Sequence, residues 1–299
     1  MELINGKQLA LDLQEEMRID VEKWKSEGHR VPHLIAILVG DNPASASYVR
    51  NKMRSCERTG IKSTLIKKDS NISEEALIDI INELNVDEDV DGFIVQLPLP
   101  DHISEDNITL AINPQKDVDG FHPTNFGLMA QGMPQYIPAT PYGMITMLER
   151  YNIETSGKHC VVIGRSNIVG TPMSILMSRK SKFANCTVTL THSRTKNLAE
   201  EIRRADIIIA AIGRANFVTA DMVKEGAVIL DVGINSVEDS SRKRGYRLVG
   251  DVDFDGVADK CSYITPVPGG VGPMTVTALI MNTLKSFEKY YLAKPVVSK

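Results

Sequence analysis

The chain has 299 residues, enough for two domains of ordinary size and a substantial buried core. Thirty-four basic against thirty-eight acidic side chains give a formal charge of −4, which offers no general attraction for nucleic acid or an anionic membrane and leaves a small molecule as the expected partner. Cys56, Cys160, Cys186 and Cys261 are scattered without a CxxC pair and no apolar run reaches membrane-spanning length, so no zinc site, disulfide framework or membrane span is expected and the location reads as cytoplasmic.

In chain order, strand-like and helix-like segments alternate, the pattern of a layered α/β protein. Leu34 to Val39 is a short apolar run ending at Gly40-Asp41-Asn42-Pro43, and a helix follows until Thr59-Gly60. Asn42 can cap it, Pro43 suits its first turn, and Gly60 suits the left-handed position after its last. Further strands are predicted at Gly92 to Gln96, Cys160 to Ile163, Thr187 to Thr191, Ile207 to Ala211 and Val228 to Val232. The stretch Gly127 to Pro141 reads as a passage between domains, followed by a helix from about Tyr142 to Tyr151. A final helix is predicted from Thr275 to Tyr290.

Four features carry chemistry. Tyr48 and Lys52, four residues apart on the predicted helix, project from one face, a spacing also common on solvent-facing helices. Gln96 places an uncharged hydrogen-bonding group at a strand end, where ligand crevices commonly lie. The run Gly164-Arg165-Ser166 through Gly170 follows a buried strand and opens a helix, whose outward N–H groups and dipole favour a phosphate. It departs from GxGxxG, with Ser166 in place of the second glycine. The next strand ends at His192-Ser193-Arg194 without the acidic residue that commonly holds the ribose of NAD, so Arg165, Ser193 and Arg194 favour a 2′-phosphate and hence NADP. Lastly, Pro266-Val267-Pro268-Gly269-Gly270-Val271-Gly272-Pro273-Met274-Thr275 has six Gly or Pro in ten positions, a preformed binding wall or a tight connection. Asp117 and Asp119 form no complete oxygen shell, so no metal is expected.

In this order the motifs resemble the bifunctional methylenetetrahydrofolate dehydrogenase/methenyltetrahydrofolate cyclohydrolase family: Val39 to Lys52, Val95-Gln96-Leu97-Pro98, Lys116 to Gly120, Gly164 to Ser166, Asp231-Val232-Gly233-Ile234 and Pro266 to Thr275. The resemblance implies two α/β domains, a catalytic, folate-binding one over 1–138 plus 275–299 and a Rossmann-like NADP-binding one over 139–274. It further implies a C-terminal helix returning to the first domain, a folate cleft between the domains, and a homodimer. By the same resemblance Lys52 is the proton-transferring residue of the cyclohydrolase, hydrogen-bonded by Gln96. Tyr48 orients the folate, Asp119 takes the pterin edge, and Ser45, Val95, Leu97 and Pro266 to Met274 line the substrate. Gly233 and Ile234 flank the nicotinamide. Two alternatives remain at this point, a monofunctional dehydrogenase and a non-catalytic folate or dinucleotide sensor.

Overall fold

A computed structural model of the chain describes residues 1–242 and 245–293, so the last six residues of the 275–299 segment lie outside the described residues. Two compact units result: Met1–Ala10 with Thr140–Thr275, and Leu11–Ala139 with Val276–Lys299. The first ten residues thus join the unit of the Gly164 motif, whereas the sequence had grouped all of 1–138 together. The reason is a two-residue strand, Glu2–Leu3, which pairs in parallel with Tyr263 and Ile264.

In the first unit, six parallel strands among the described residues form one sheet in the order Glu2–Leu3, Cys261–Ile264, Ala227–Asp231, Ile207–Ala210, His159–Ile163, Thr187–Thr191. Ile207–Ala210 and Ala227–Asp231 are buried at every position, which is why they read as near-continuous apolar runs and not as an alternation. The chain leaves His159–Ile163 to one side and returns on the other, so a switch point falls at the carboxyl end of that strand, where Gly164 stands.

The second unit is built on a three-stranded parallel sheet with His33–Val39 between Lys62–Lys68 and Gly92–Val95. The helix Pro43–Thr59 has the ends its sequence calls for. The Asn42 side chain accepts hydrogen bonds from the N–H groups of Ala44 and Ser45, and Gly60 has φ of 75°. The helix Val271–Phe287 continues from the first unit into the second, where Asn282 donates to the carbonyls of Val118 and Ile137 and the Ser286 hydroxyl to that of Asp91.

Two sequence expectations are corrected. Gly127 to Pro141 is not one irregular passage. Pro123–Gln131 is helical, capped by His122, whose Nδ1 accepts from the N–H of Thr124, and closed by Gly132 at φ of 86°. Gly127 sits inside that helix, where no neighbour crowds it. The next helix, Ala139–Arg150, begins before Pro141, because a proline in the first turn has no intrahelical N–H to lose. For the same reason Val271 to Met274, read as loop, form the opening turn of Val271–Phe287 despite Pro273.

Candidate active site

In the second unit the helix Pro43–Thr59 lies against the sheet and buries Ser45, Val49 and Lys52. Ser45 is therefore an inward residue and not a helix-surface one. Lys52 is 4% exposed, a rare state for an ammonium without a countercharge in direct contact. Its Nζ donates to Gln96 Oε1 at 3.2 Å and stands 4.8 Å from the centroid of the half-buried Tyr48 ring. Gln96 follows the strand Gly92–Val95, its N–H bonding to the carbonyl of Ile37 at 2.9 Å. Its Nε2 donates to the Leu97 carbonyl at 2.8 Å. That second bond fixes which end of the amide faces Lys52, since reversing it would set oxygen against oxygen. Val95 packs in the core behind Gln96, and Leu97 begins the turn through a cis Leu97–Pro98 bond.

Burial pulls the Lys52 amine below its ordinary pKa, with the nearby Asp119 carboxylate and Cys56 opposing. Asp119 is pushed up by burial and drawn back by Lys52. Cys56, one turn from Lys52, is pushed up to about 12 by burial and so stays a neutral thiol. The set contains a carboxyl and an amine in one desolvated space, both displaced toward their neutral forms.

A turn braced by hydrogen bonds presents Asp119. The buried Asp117 carboxylate accepts from the N–H groups of Phe121 and His122 and from Asn125 Nδ2. Gly120, at φ of 74°, lies where a Cβ would come within 2.8 Å of Pro138 N, so only glycine fits the turn. The Asp119 carbonyl accepts from the N–H of Ala139 at 3.2 Å. Sequence reasoning weighed Asp117 only as a metal ligand and missed this bracing role, because a carboxylate that accepts backbone N–H groups leaves no spacing signature.

The first unit holds the other predicted residues. Gly164, at φ of 112°, brings its backbone so close to the next strand that a Cβ would lie 2.2 Å from the Ala211 carbonyl oxygen. Beyond it a cavity of about 340 Å³ is lined by Gly164, Arg165, His192, Ser193, Arg214 and Phe217 among others. Arg165 and Ser193 line it; Arg194 does not, and Arg214, which sequence reasoning missed, does. The helix Gly170–Ser178 is less bare at its start than the sequence suggested. Ser166 Oγ accepts from the N–H groups of Val169 and Gly170, and the Ser166 carbonyl accepts from Thr171 N. His192 is a hydrogen-bonded residue, its Nδ1 accepting from the N–H of Arg194.

Gly233 and Ile234 follow the strand Ala227–Asp231. Gly233 approaches Asp251 so closely that a Cβ would meet Asp251 Oδ1 at 2.3 Å, and Ile234 is 60% exposed. The segment Pro266 to Gly270 contains a cis Val267–Pro268 bond and Gly269 at φ of 109°, and the Gly269 carbonyl accepts from Lys7 N at 2.8 Å. Gly272 and Ile234 are neighbours, the Ile234 Cδ1 lying 3.7 Å from the position of a Cβ at 272. The structure thus gathers Ser45, Tyr48, Lys52, Gln96 and Asp119 in one unit, and the Gly164, Ser193, Ile234 and Pro266 to Met274 segments in the other.

Residues 4–119 match the family model for the tetrahydrofolate dehydrogenase/cyclohydrolase catalytic domain and residues 138–291 that for its NAD(P)-binding domain. A bifunctional protein FolD of Cytophaga hutchinsonii is 57% identical over 286 residues, covering 96% of this chain and 99% of the relative. One from Flavobacterium johnsoniae is 58% identical over 284 residues, covering 95% and 96%. Among solved structures, the bifunctional FolD enzyme of Campylobacter jejuni superposes with a TM-score of 0.91 at 46% identity, covering 97% of this chain and 99% of that one. A Trypanosoma brucei methylenetetrahydrofolate dehydrogenase-cyclohydrolase, complexed with NADP and an inhibitor, gives 0.90 at 36% identity, with 96% and 97% covered.

Proposed function

Because the chain belongs to the tetrahydrofolate dehydrogenase/cyclohydrolase family, we propose that its two units divide the work of one bifunctional enzyme acting on tetrahydrofolate derivatives. It oxidises 5,10-methylenetetrahydrofolate to the 5,10-methenyl cation with NADP+ and hydrolyses that cation to 10-formyltetrahydrofolate. The observation that carries the second activity is the contact between Nζ of the buried Lys52 and Gln96 Oε1.

Hydrolysis adds water to the carbon bridging N5 and N10, breaks its bond to N5, and releases one proton overall. A protonated Lys52 would repel the cationic substrate and has no lone pair. A neutral one, favoured by burial, takes a proton from the attacking water. Gln96 suits this role because an amide oxygen accepts from the amine and orients it without anchoring the charged form as a carboxylate would. Tyr48 offers a flat face for the aminobenzoyl ring and its hydroxyl for orientation. Asp119 can accept two hydrogen bonds from the pterin edge, on a turn that Asp117 and Gly120 hold still. Ser45, Val95, Leu97 and the segment Pro266 to Met274 complete the substrate contacts in this reading.

The cofactor fits the first unit on its own residues. Gly164 permits close backbone approach, and the strand end His192-Ser193-Arg194 has no carboxylate to repel a 2′-phosphate. Arg165 and Ser193 would hold that phosphate, Arg194, next to Ser193 in the chain, would add positive charge, and Gly233 and Ile234 would flank the nicotinamide. Bound there, NADP+ supplies the hydride acceptor of the first reaction. A cytoplasmic homodimer belongs to the same proposal. The charge balance, the four free, buried cysteines and the family likeness support it, and sedimentation of the purified chain tests the dimer.

The test of function is a paired assay of NADPH formation from methylenetetrahydrofolate and of methenyl hydrolysis. Lys52→Met is expected to lower hydrolysis by at least about a hundredfold while folate still binds. Equal hydrolysis by the variant and the unaltered protein would remove Lys52 from the mechanism.

A further inference from the structure

The loop after the strand Ile207–Ala210 is gripped from beneath by a single carboxylate. Asp251 is fully buried; its Oδ2 accepts from the N–H groups of Ile212 (2.7 Å) and Gly213 (2.9 Å), and its Oδ1 from Arg214 N (2.8 Å) and Asn235 Nδ2 (2.9 Å). Three successive amides with Gly213 at φ of 67° make a concave anion site. Its occupant is internal, so the loop is closed to an external phosphate at its backbone and fixed in place. What it presents outward is the next side chain. Arg214 is exposed, its guanidinium carbon 4.8 Å from the centroid of the Phe217 ring, and it lines the same cavity as Arg165, His192 and Ser193.

The cavity lining contains two guanidinium groups and a histidine and no carboxylate. Among the described residues no acidic side chain lies within ion-pair distance of Arg165 or Arg214. Two such cations facing one space repel each other until an anion lies between them, and guanidinium groups match phosphate oxygens in geometry. We propose that Arg214 is a second phosphate-reading residue, sharing the 2′-phosphate of NADP with Arg165, and that Asp251 positions it. This rests on the NADP reading above and extends it to a residue on a different strand end.

The experiment uses the full-length protein and two fragments of the cofactor, adenosine 2′,5′-bisphosphate and adenosine 5′-monophosphate, titrated calorimetrically. The unaltered protein is expected to bind the bisphosphate more tightly, and Arg214→Gln to reduce that preference by at least about tenfold, the worth of one charge-assisted hydrogen bond. Affinity for the monophosphate should stay within about twofold of its original value. Arg214→Lys, which keeps the charge and loses the fork, should restore part of the preference. A preference undiminished in Arg214→Gln overturns the assignment and leaves the cofactor reading intact. Equal weakening of both fragments also overturns it, because it places the side chain on the adenine ring. An unaltered protein with no preference for the bisphosphate would instead refute the NADP reading itself.

Discussion

Gln96→Glu changes one atom type beside Lys52 and leaves the shape of the site almost untouched. The oxygen at the place of Gln96 Oε1 stays 3.2 Å from Lys52 Nζ, and the new oxygen replaces Nε2, whose hydrogen bond to the Leu97 carbonyl is lost. Two unit charges at that separation attract by about 5 kcal/mol at an effective dielectric constant of about 20, equivalent to about four pH units of added proton affinity for the amine. Desolvating the new carboxylate opposes this, so we expect the hydrolysis profile to move upward by about two pH units or more. The direction follows from the base being neutral lysine: an adjacent anion stabilises the ammonium, so the free amine appears only at higher pH. Near neutral pH the loss in kcat/KM for methenyl hydrolysis is therefore about a hundredfold or greater. Hydride transfer requires no proton acceptor and should fall much less. The assay is methenyl hydrolysis followed spectrophotometrically across pH, with NADPH formation measured on the same preparation. A Gln96→Glu enzyme with the original rate and profile would refute a neutral amine acting as base.

Two other outcomes follow from the first unit. Burial pushes the Asp231 carboxyl up to about 6 while it accepts from the N–H groups of Gly233, Asp251 and Val252. Its folded pKa lies above the unfolded one, so its contribution to stability is complete below the unfolded value and is lost as pH rises through the folded value. The stability gap between the unaltered protein and Asp231→Asn, measured by urea unfolding, should narrow by about 1 kcal/mol between about pH 5 and about pH 7; a gap that widens with pH would contradict the shift. Gly164→Ala should cost at least about 2 kcal/mol in the same assay and impair cofactor binding, because its Cβ would lie 2.2 Å from the Ala211 carbonyl oxygen at φ of 112°. An unperturbed, fully active alanine variant would show that the strand end is not held as described.

Local signals were readable in the sequence. Asn42, Pro43 and Gly60 bound the helix Pro43–Thr59 because capping is decided by a few adjacent residues. Buried strands announced themselves as apolar runs. What escaped depends on distant partners: Glu2–Leu3 is a strand only because Tyr263 and Ile264 lie beside it, and the ribbon of Asn235–Glu238 with Tyr246–Val249 is a mixture of exposed and half-buried residues. In the site, the four-residue spacing of Tyr48 and Lys52 was visible, whereas their pairing with Gln96 and Asp119 came with the family likeness and has no local signature. Asp117 and Asp251 work through backbone N–H groups and so resemble any surface aspartate in the sequence. Arg214 had a usable signal, a Gly-Arg pair just past the end of a buried parallel strand, the edge where α/β sheets hold ligands.

The route of the chain constrains its own synthesis. The edge strand at residues 2 and 3 has no neighbour until residues 263 and 264 emerge from the ribosome, and the carbonyl of Asp91 waits for the hydroxyl of Ser286. Neither half can close its hydrogen bonds from an uninterrupted stretch of polypeptide, so completion of both falls to the last moments of translation. A gene cut after codon 139 would give two fragments that each lack a piece held by the other.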